Sequence, residues 1–253
     1  MNEFSGPLRR PAPTPQAWAV FFDLPVPYAE GMRLQERLHA ARLADDIPDT
    51  VLFLEHPPTV TLGARGRRED LLVAPAQLRE RGIDLVHASR GGNVTFHGPG
   101  QWVLYPILRL GRQEADAHGY LHNLEEIALR TAADFGVPAF RRAGLNGAWT
   151  QAGKLAAIGF RLKRWVTLHG MSFNVEVELA RFDLIVPCGL AGERVTSLRQ
   201  LLGAGCPGMP QVRARLAQHF ETVCGRRLEI WRADQPLPAP LNRMLKPDAE
   251  TKG

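Results

Sequence analysis

Residues 90–101 read RGGNVTFHGPGQ, with five glycines or prolines and an Arg, a Thr, a His and a Gln among the twelve. Gly91, Gly92, Gly98 and Gly100 open backbone dihedrals closed to other residues and let the chain lie close to a ligand or another backbone. Val94, Thr95 and Phe96 favour a strand, and the following apolar run WVLYPIL, residues 102–108, reads as its partner strand. The stretch is therefore a strand between tight turns. A glycine pattern alone fits both a hairpin without chemistry and the wall of a ligand site.

The rest of the composition narrows the class. A chain of 253 residues with 45% hydrophobic and 23% charged residues can bury a substantial core as one mixed domain. No apolar run reaches the ~18 residues of a membrane helix, and the first residues lack the layout of a secretory signal, so the expectation is a cytoplasmic protein. The net charge of +5 comes from dispersed residues, which points away from nucleic acid and toward a partner with an acidic surface. Arg65, Arg67 and Arg68 are candidates for that contact. Cys188, Cys206 and Cys224 have neither metal-site spacing nor an even count, so at least one thiol is free.

Read in order, residues 1–15 form a proline-rich tail and 17–23 a first strand. A helix over 28–44 carries Leu34, Leu38 and Ala41 on one face. Strands follow at 50–56 and 59–63, then a short helix at 75–81 and a strand at 83–87. Residues 116–135 give a helix with Leu121, Leu124, Ala128 and Phe135 on one side, stopped by Gly136 and Pro138. Residues 140–177 read as several antiparallel strands, and 183–192 as a loop around Cys188. Ser197 or Thr196 caps a short helix ending at Gly203. A helix over 210–223 turns Val212, Leu216, Phe220 and Val223 inward, 228–231 form a last strand, and 234–253 are a second tail. The fold class is α/β, with mixed sheets and flanking helices in one domain over 16–233.

Cys188 is the candidate nucleophile, because Pro187 and Gly189 place it in an irregular loop; Cys206 and Cys224 fit the inert class of buried thiols. A thiol of ordinary pKa is only a few per cent thiolate at pH 7 and needs an activating neighbour. Lys154, in AGKLAAIG, lies between a glycine and an apolar strand. It either activates such a thiol or snorkels to solvent from a strand end. His97 and His169, each followed by glycine, either orient a substrate or bond to backbone. No spacing indicates a metal site, and GKL at 153–155 lacks the hydroxyl residue of a P-loop.

Five segments in order, EHPPTVTLG, RGGNVTFHGPGQWVLYPI, GKLAAIG, HGMSFNV and PCGLAGERVTSL, resemble the lipoyl(octanoyl) transferase family over about residues 51–202. The resemblance implies the α/β fold shared with biotin and lipoate protein ligases. It implies acyl transfer from octanoyl-acyl-carrier protein through a cysteine thioester to the lysine of lipoyl domains, in 2-oxoacid dehydrogenase E2 subunits and glycine cleavage H protein, with no cofactor. By the same likeness Cys188 carries the acyl group and Lys154 lowers its pKa. The acyl substrate meets Arg90, Gly91, Gly92, Asn93, Val94, Thr95, Phe96 and His97, then Ala157, Ile158 and Gly159, then Gly170, Met171 and Ser172. Val94, Phe96 and Ile158 are expected walls of its channel. Met171, Ser172 and Phe173 depart from the smaller or aliphatic residues usual in the family. The alternative is an ATP-dependent lipoate or biotin ligase on the same fold, which has no use for a nucleophilic cysteine.

Overall fold

The structure is a computed structural model that describes residues 15–111, 114, 116–186 and 192–245. The chain runs β1 (Gln16–Phe21), α1 (Tyr28–Leu43), β2 (Asp49–Leu54), β3 (Thr59–Leu62), α2 (Pro75–Glu80), β4 (Asp84–His87), β5 (Val94–His97), β6 (Gln101–Ile107) and α3 (Ala117–Asp134). It continues with β7 (Phe140–Arg142), β8 (Leu145–Thr150), β9 (Gly153–Lys163), β10 (Val166–Asn174), α4 (Leu198–Leu202), α5 (Met209–Cys224), β11 (Arg227–Arg232) and α6 (Ala239–Leu245).

Side chains of an extended strand point alternately to its two faces, and the central strands use both. Ala19, Phe21, Val51, Phe53, Trp102 and Leu104 pack on one side against α3 and α5. Val20, Leu52, Leu54, Val103, Tyr105 and Ile107 pack on the other against α1 and α6. These strands belong to an eight-stranded sheet in the order β11-β1-β2-β6-β10-β9-β8-β7. It is parallel at β11-β1-β2 and antiparallel elsewhere. A smaller sheet, β4-β3-β5, has its own core around Val60, Phe96 and Phe182.

The expected pairing of the glycine stretch with the strand after it is corrected. β5 pairs antiparallel with β3 in the small sheet, whereas β6 lies between β2 and β10 in the large one. The turn between them is gripped from both sides. The Gly100 N–H donates to the Glu55 carboxylate at 2.6 Å, and its carbonyl accepts the N–H groups of Val175 and Glu176. A Cβ there would stand 2.7 Å from Val177 N, and φ is +83°.

Three further expectations change. The buried face of α3 is Tyr120, Leu124, Ile127 and Ala128, with Leu121 and Phe135 only partly covered. In α5 Cys224, not Val223, is the buried residue of the last turn. Residues 239–245 are not tail but helix: Leu241 is buried beside Leu34 and Leu38, and Arg37 Nε donates to Met244 O at 2.7 Å. The expected N-terminal tail lies outside the described residues except at Pro15, and 246–253 lie outside them as well.

One buried carboxylate ties three elements together. Asp49, at the start of β2, accepts from Arg42 Nε (2.7 Å), Arg226 Nε (3.1 Å) and the Arg109 N–H (2.9 Å). Arg226 also donates to Glu114 and to Cys224 O, which anchors the link from α5 to β11. Removing one partner of a buried ion pair leaves the others uncompensated. Asp49→Ala should therefore cost about 3–5 kcal/mol, read as a fall in the denaturant midpoint. A loss below about 1 kcal/mol, the value of a surface pair, would show that this network is screened by solvent.

Candidate active site

The glycine loop after β4, the middle of β9 and of β10, and the start of α1 line a cavity of about 270 Å³. The loop is held by its own arginine. The buried Arg90 guanidinium donates to Thr61 O (2.8 Å), Thr61 Oγ1 (2.7 Å) and Asn93 O (3.2 Å). Backbone bonds from Gly63, Ala64 and Arg65 to Asn93 O, Arg90 O and Gly92 O complete the seam.

Lys154 lines the same cavity and is buried. Its Nζ lies 4.5 Å from the Trp149 ring centroid, a cation–π placement on the neighbouring strand β8. Its backbone is sewn to the segment that follows Cys188 in sequence: Lys154 N–H donates to Arg194 O (2.8 Å), and Thr196 N–H donates to Lys154 O (3.0 Å). Gly153 permits this approach, since a Cβ there would stand 2.5 Å from Arg194 O. The loop's other flank is also fixed, because Val186 N–H donates to Asp70 O at 2.8 Å. Cys188 itself lies outside the described residues.

A chain of polar side chains sets one imidazole. Thr196 O accepts Asn174 Nδ2 (3.0 Å), Asn174 Oδ1 accepts Gln101 Nε2 (2.8 Å), and Gln101 Oε1 faces His97 Nδ1 at 2.7 Å. A carbonyl can only accept, so each link fixes the next and His97 carries its proton on Nδ1. Its Nε2 has no partner among the described residues. Burial, with help from His56 and Arg90, pushes the His97 pKa well below the usual imidazole range, so the ring is neutral.

Beside it, His56 bonds to Val26 O (2.5 Å) and the Tyr105 hydroxyl (2.7 Å), and Tyr28 stacks on His97 with centroids 5.6 Å apart. His169 closes the far end, with Nε2 3.0 Å from Ser89 Oγ. Burial depresses both His56 and His169 to about 4. Among the described residues no three of His, Cys, Asp and Glu converge as metal ligands.

Comparison with known proteins gives the lineage. The model of the lipoyl protein ligase A/B catalytic domain matches residues 27–221. An octanoyltransferase of Syntrophotalea carbinolica is 46% identical over 206 residues, 81% of this chain and 92% of that protein. One from Geobacter metallireducens is 44% identical over 211 residues, 83% of this chain and 95% of the relative. The chain belongs to the octanoyltransferase family. Among solved structures, one of a bi-partite lipoate protein ligase and its E2 lipoyl domain from Thermoplasma acidophilum superposes with a TM-score of 0.71 at 15% identity. That match covers 91% of each chain and shows a shared fold.

Within this octanoyltransferase-family fold, the expected acyl contacts gather in one place. Arg90, Gly92, Asn93, Val94, Thr95 and His97 line the cavity from the loop and β5, and Ala157, Ile158, Gly159, Gly170, Met171 and Ser172 line it from β9 and β10. Two do not. Gly91 spends its backbone on β9, with its N–H donating to Phe160 O at 3.1 Å, and Phe96 turns into the small sheet's core against Phe182. Phe96 is therefore no wall of the cavity. Alternation along a strand separates it from Thr95 and His97.

Tyr28, Tyr105 and Asn174 are lining or supporting residues that the sequence reading passed over. They are distant in sequence: the packing of α1 brings in Tyr28, and the pairing of β6 with β10 brings in Tyr105 and Asn174. Arg65 lines the cavity while Arg67 and Arg68 lie exposed nearby. Cys206 is partly buried, and burial raises its pKa; in Cys224 burial pushes the thiol up to about 12.

The two histidines with pKa values near 4 set a pH dependence. Their folded values lie below the unfolded value of 6.5, so the unfolded chain binds more protons between those limits and stability falls as pH drops through that window. Each should contribute a loss of about 1.4 kcal/mol per pH unit between pH 6 and 5, measured by denaturant titration. A flat profile there would mean that these rings stay accessible to solvent.

Proposed function

We propose that this octanoyltransferase-family chain works through a thioester on Cys188, with Lys154 lowering the thiol pKa and the cavity holding the acyl chain. The observation that carries the reading is that Lys154 sits buried at the edge of an acyl-sized cavity, its backbone bonded to the segment 194–196 that follows Cys188 in sequence. Cys188 precedes Arg194 by only six residues in sequence. An ammonium beside a thiol favours the thiolate, which is the nucleophilic form.

The chemistry runs in two steps. The Cys188 thiolate attacks the carbonyl carbon of an octanoyl thioester: a new C–S bond forms, the donor's C–S bond breaks, and the departing thiolate takes the proton held by the Lys154 ammonium. The lysine amine of the acceptor then attacks the enzyme thioester: a C–N bond forms, the Cys188 C–S bond breaks, and the proton lost by nitrogen ends on sulfur. Splitting the transfer this way replaces one hard step by two easier ones. The amide is more stable than the thioester, so the sequence runs downhill. In this reading the developing oxyanion is stabilised by backbone N–H groups at the glycine turns other than those of Gly91 and Gly100, which are already bonded to Phe160 O and Glu55.

The donor in this reading is octanoyl-acyl-carrier protein, and the acceptors are lipoyl domains of 2-oxoacid dehydrogenase E2 subunits and glycine cleavage H protein. The net charge of +5 and the exposed Arg67 and Arg68 suit an acidic donor. No helix of the described residues is long and apolar enough to cross a membrane. The reading places the reaction in the cytoplasm, where thiols stay reduced.

Intact-mass measurement after incubation with octanoyl-acyl-carrier protein tests this. Wild type should gain one octanoyl group, Cys206→Ser should behave alike, and Cys188→Ser should lose the thioester. Acylation that persists in Cys188→Ser and vanishes in Cys206→Ser would reverse the assignment. Product formed only with ATP and free octanoate would favour a ligase.

A further inference from the structure

A second cavity, of about 540 Å³, lies between α1 and the β9–β10 hairpin. Arg161, Lys163 and Arg164 line it from the hairpin, and Glu36 on α1 is the one carboxylate among its described lining residues. Elsewhere in the fold arginines are neutralised where they gather: Arg42 pairs with Asp45 and Asp49, and Arg141 pairs with Glu125 and Glu126. Among the described residues no ion pair engages Arg161, Lys163 or Arg164. Three cations on one concave wall, with a single carboxylate near them, raise the local concentration of anions.

The buried side of the cavity offers donors that have nothing to bond. Gln35, on α1, is buried and lines the cavity. Its side-chain oxygen accepts the His169 N–H at 2.7 Å, and since a backbone N–H can only donate, this bond fixes which way the amide points. The Gln35 Nε2, with two hydrogens to give, has no partner among the described residues. His169 lines the cavity too, and its Nδ1 is likewise buried without a partner. Its Nε2 lies 3.0 Å from Ser89 Oγ, and a hydroxyl donating there leaves the ring's one proton on Nδ1. Buried donors left unbonded are costly, so this wall is complete only when an acceptor is present.

We propose that the second cavity binds a phosphoryl group, held by Arg161, Lys163 and Arg164 from the hairpin and by the Gln35 amide from α1. A phosphoryl group carries several acceptor oxygens around one centre of negative charge, so it can answer donors that arrive from two elements at once. A carboxylate has only two oxygens, in one plane. Seven residues of β9, about 23 Å at ~3.3 Å per residue, separate Arg161 from Lys154, so this group and the proposed thioester occupy different places. The phosphoryl group belongs either to a free phosphate ester or to the phosphodiester that ties a carrier protein to its thiol-bearing arm.

Isothermal titration with inorganic pyrophosphate, at constant ionic strength, is the test. Wild type should bind at one saturable site. Gln35→Glu keeps the oxygen that accepts the His169 N–H and replaces the amide donor by a carboxylate; Arg164→Asn removes a cation at φ +52°, where Asn is well tolerated. Each should weaken binding ~10-fold or more, the loss of one charge-assisted hydrogen bond. No saturable binding in wild type, or binding that both variants retain, overturns the proposal. Should Gln35→Glu fail to fold, Arg161→Gln, on the exposed end of the strand, takes its place with the same expectation.

The source of the group is read from the KM for octanoyl-acyl-carrier protein with pyrophosphate added. A rise in KM that Arg164→Asn abolishes assigns the site to the carrier's phosphodiester, and an unchanged KM assigns it to a free phosphate ester. Only this second measurement rests on the reading above. The titration needs no acyl transfer, so its failure would leave the thioester on Cys188 untouched, and absence of an acyl-enzyme would leave the phosphoryl site untouched.

Discussion

No side chain fits between the glycine loop and β9. A Cβ on Gly159 would stand 2.6 Å from Gly91 O, and one on Gly63 would stand 2.5 Å from Gly92 O. Backbone therefore meets backbone along the seam between the small sheet and the large one, and Arg90 replaces the missing packing with hydrogen bonds to Thr61 and Asn93. Everything that faces the cavity depends on this closeness. Val94 and Thr95 reach it from one sheet and Ile158 and Met171 from the other only because the strands can approach without side chains intervening.

The same economy appears at the reactive end. Gly153 brings β9 against residue 194, so that Lys154 is positioned by its main chain as well as by its ammonium over Trp149. The chain from Thr196 through Asn174 and Gln101 to His97 begins on that same segment. A displacement at 194–196 would be felt both by Lys154 and by the tautomer of His97. The site behaves as one hydrogen-bonded unit. Unmade bonds in such a dry network are costly.

Much of this was legible from local pattern. Apolar runs of strand-forming residues marked the strands, Thr196 or Ser197 marked a helix start, and the ordered motifs drew the cavity-lining residues from loop, β9 and β10. What local pattern could not reveal was partnership. Nothing in VTFHGPGQW distinguishes a hairpin from a turn that carries the chain between two sheets, since the difference lies in Glu55 and residues 175–177 gripping Gly100. Phe96 was misplaced for the same reason, and proline-rich composition hid α6, whose burial of Leu241 is supplied by α1. Tyr28, at the start of α1, and Tyr105, on β6, meet beside the site only because α1 packs on that face of the large sheet.

The account reduces to one thiol of three being anionic near neutral pH. Burial raises the pKa of Cys206 and Cys224, leaving the sulfur beside Lys154 in the proposed arrangement as the reactive one. Alkylation with iodoacetamide across pH 5 to 9, quantified peptide by peptide, measures this directly. The account predicts that Cys188 is modified first and well below the pH of an ordinary thiol, and that Lys154→Ala moves its profile to higher pH. Modification of Cys206 ahead of Cys188, or a Cys188 profile indifferent to Lys154, would contradict it.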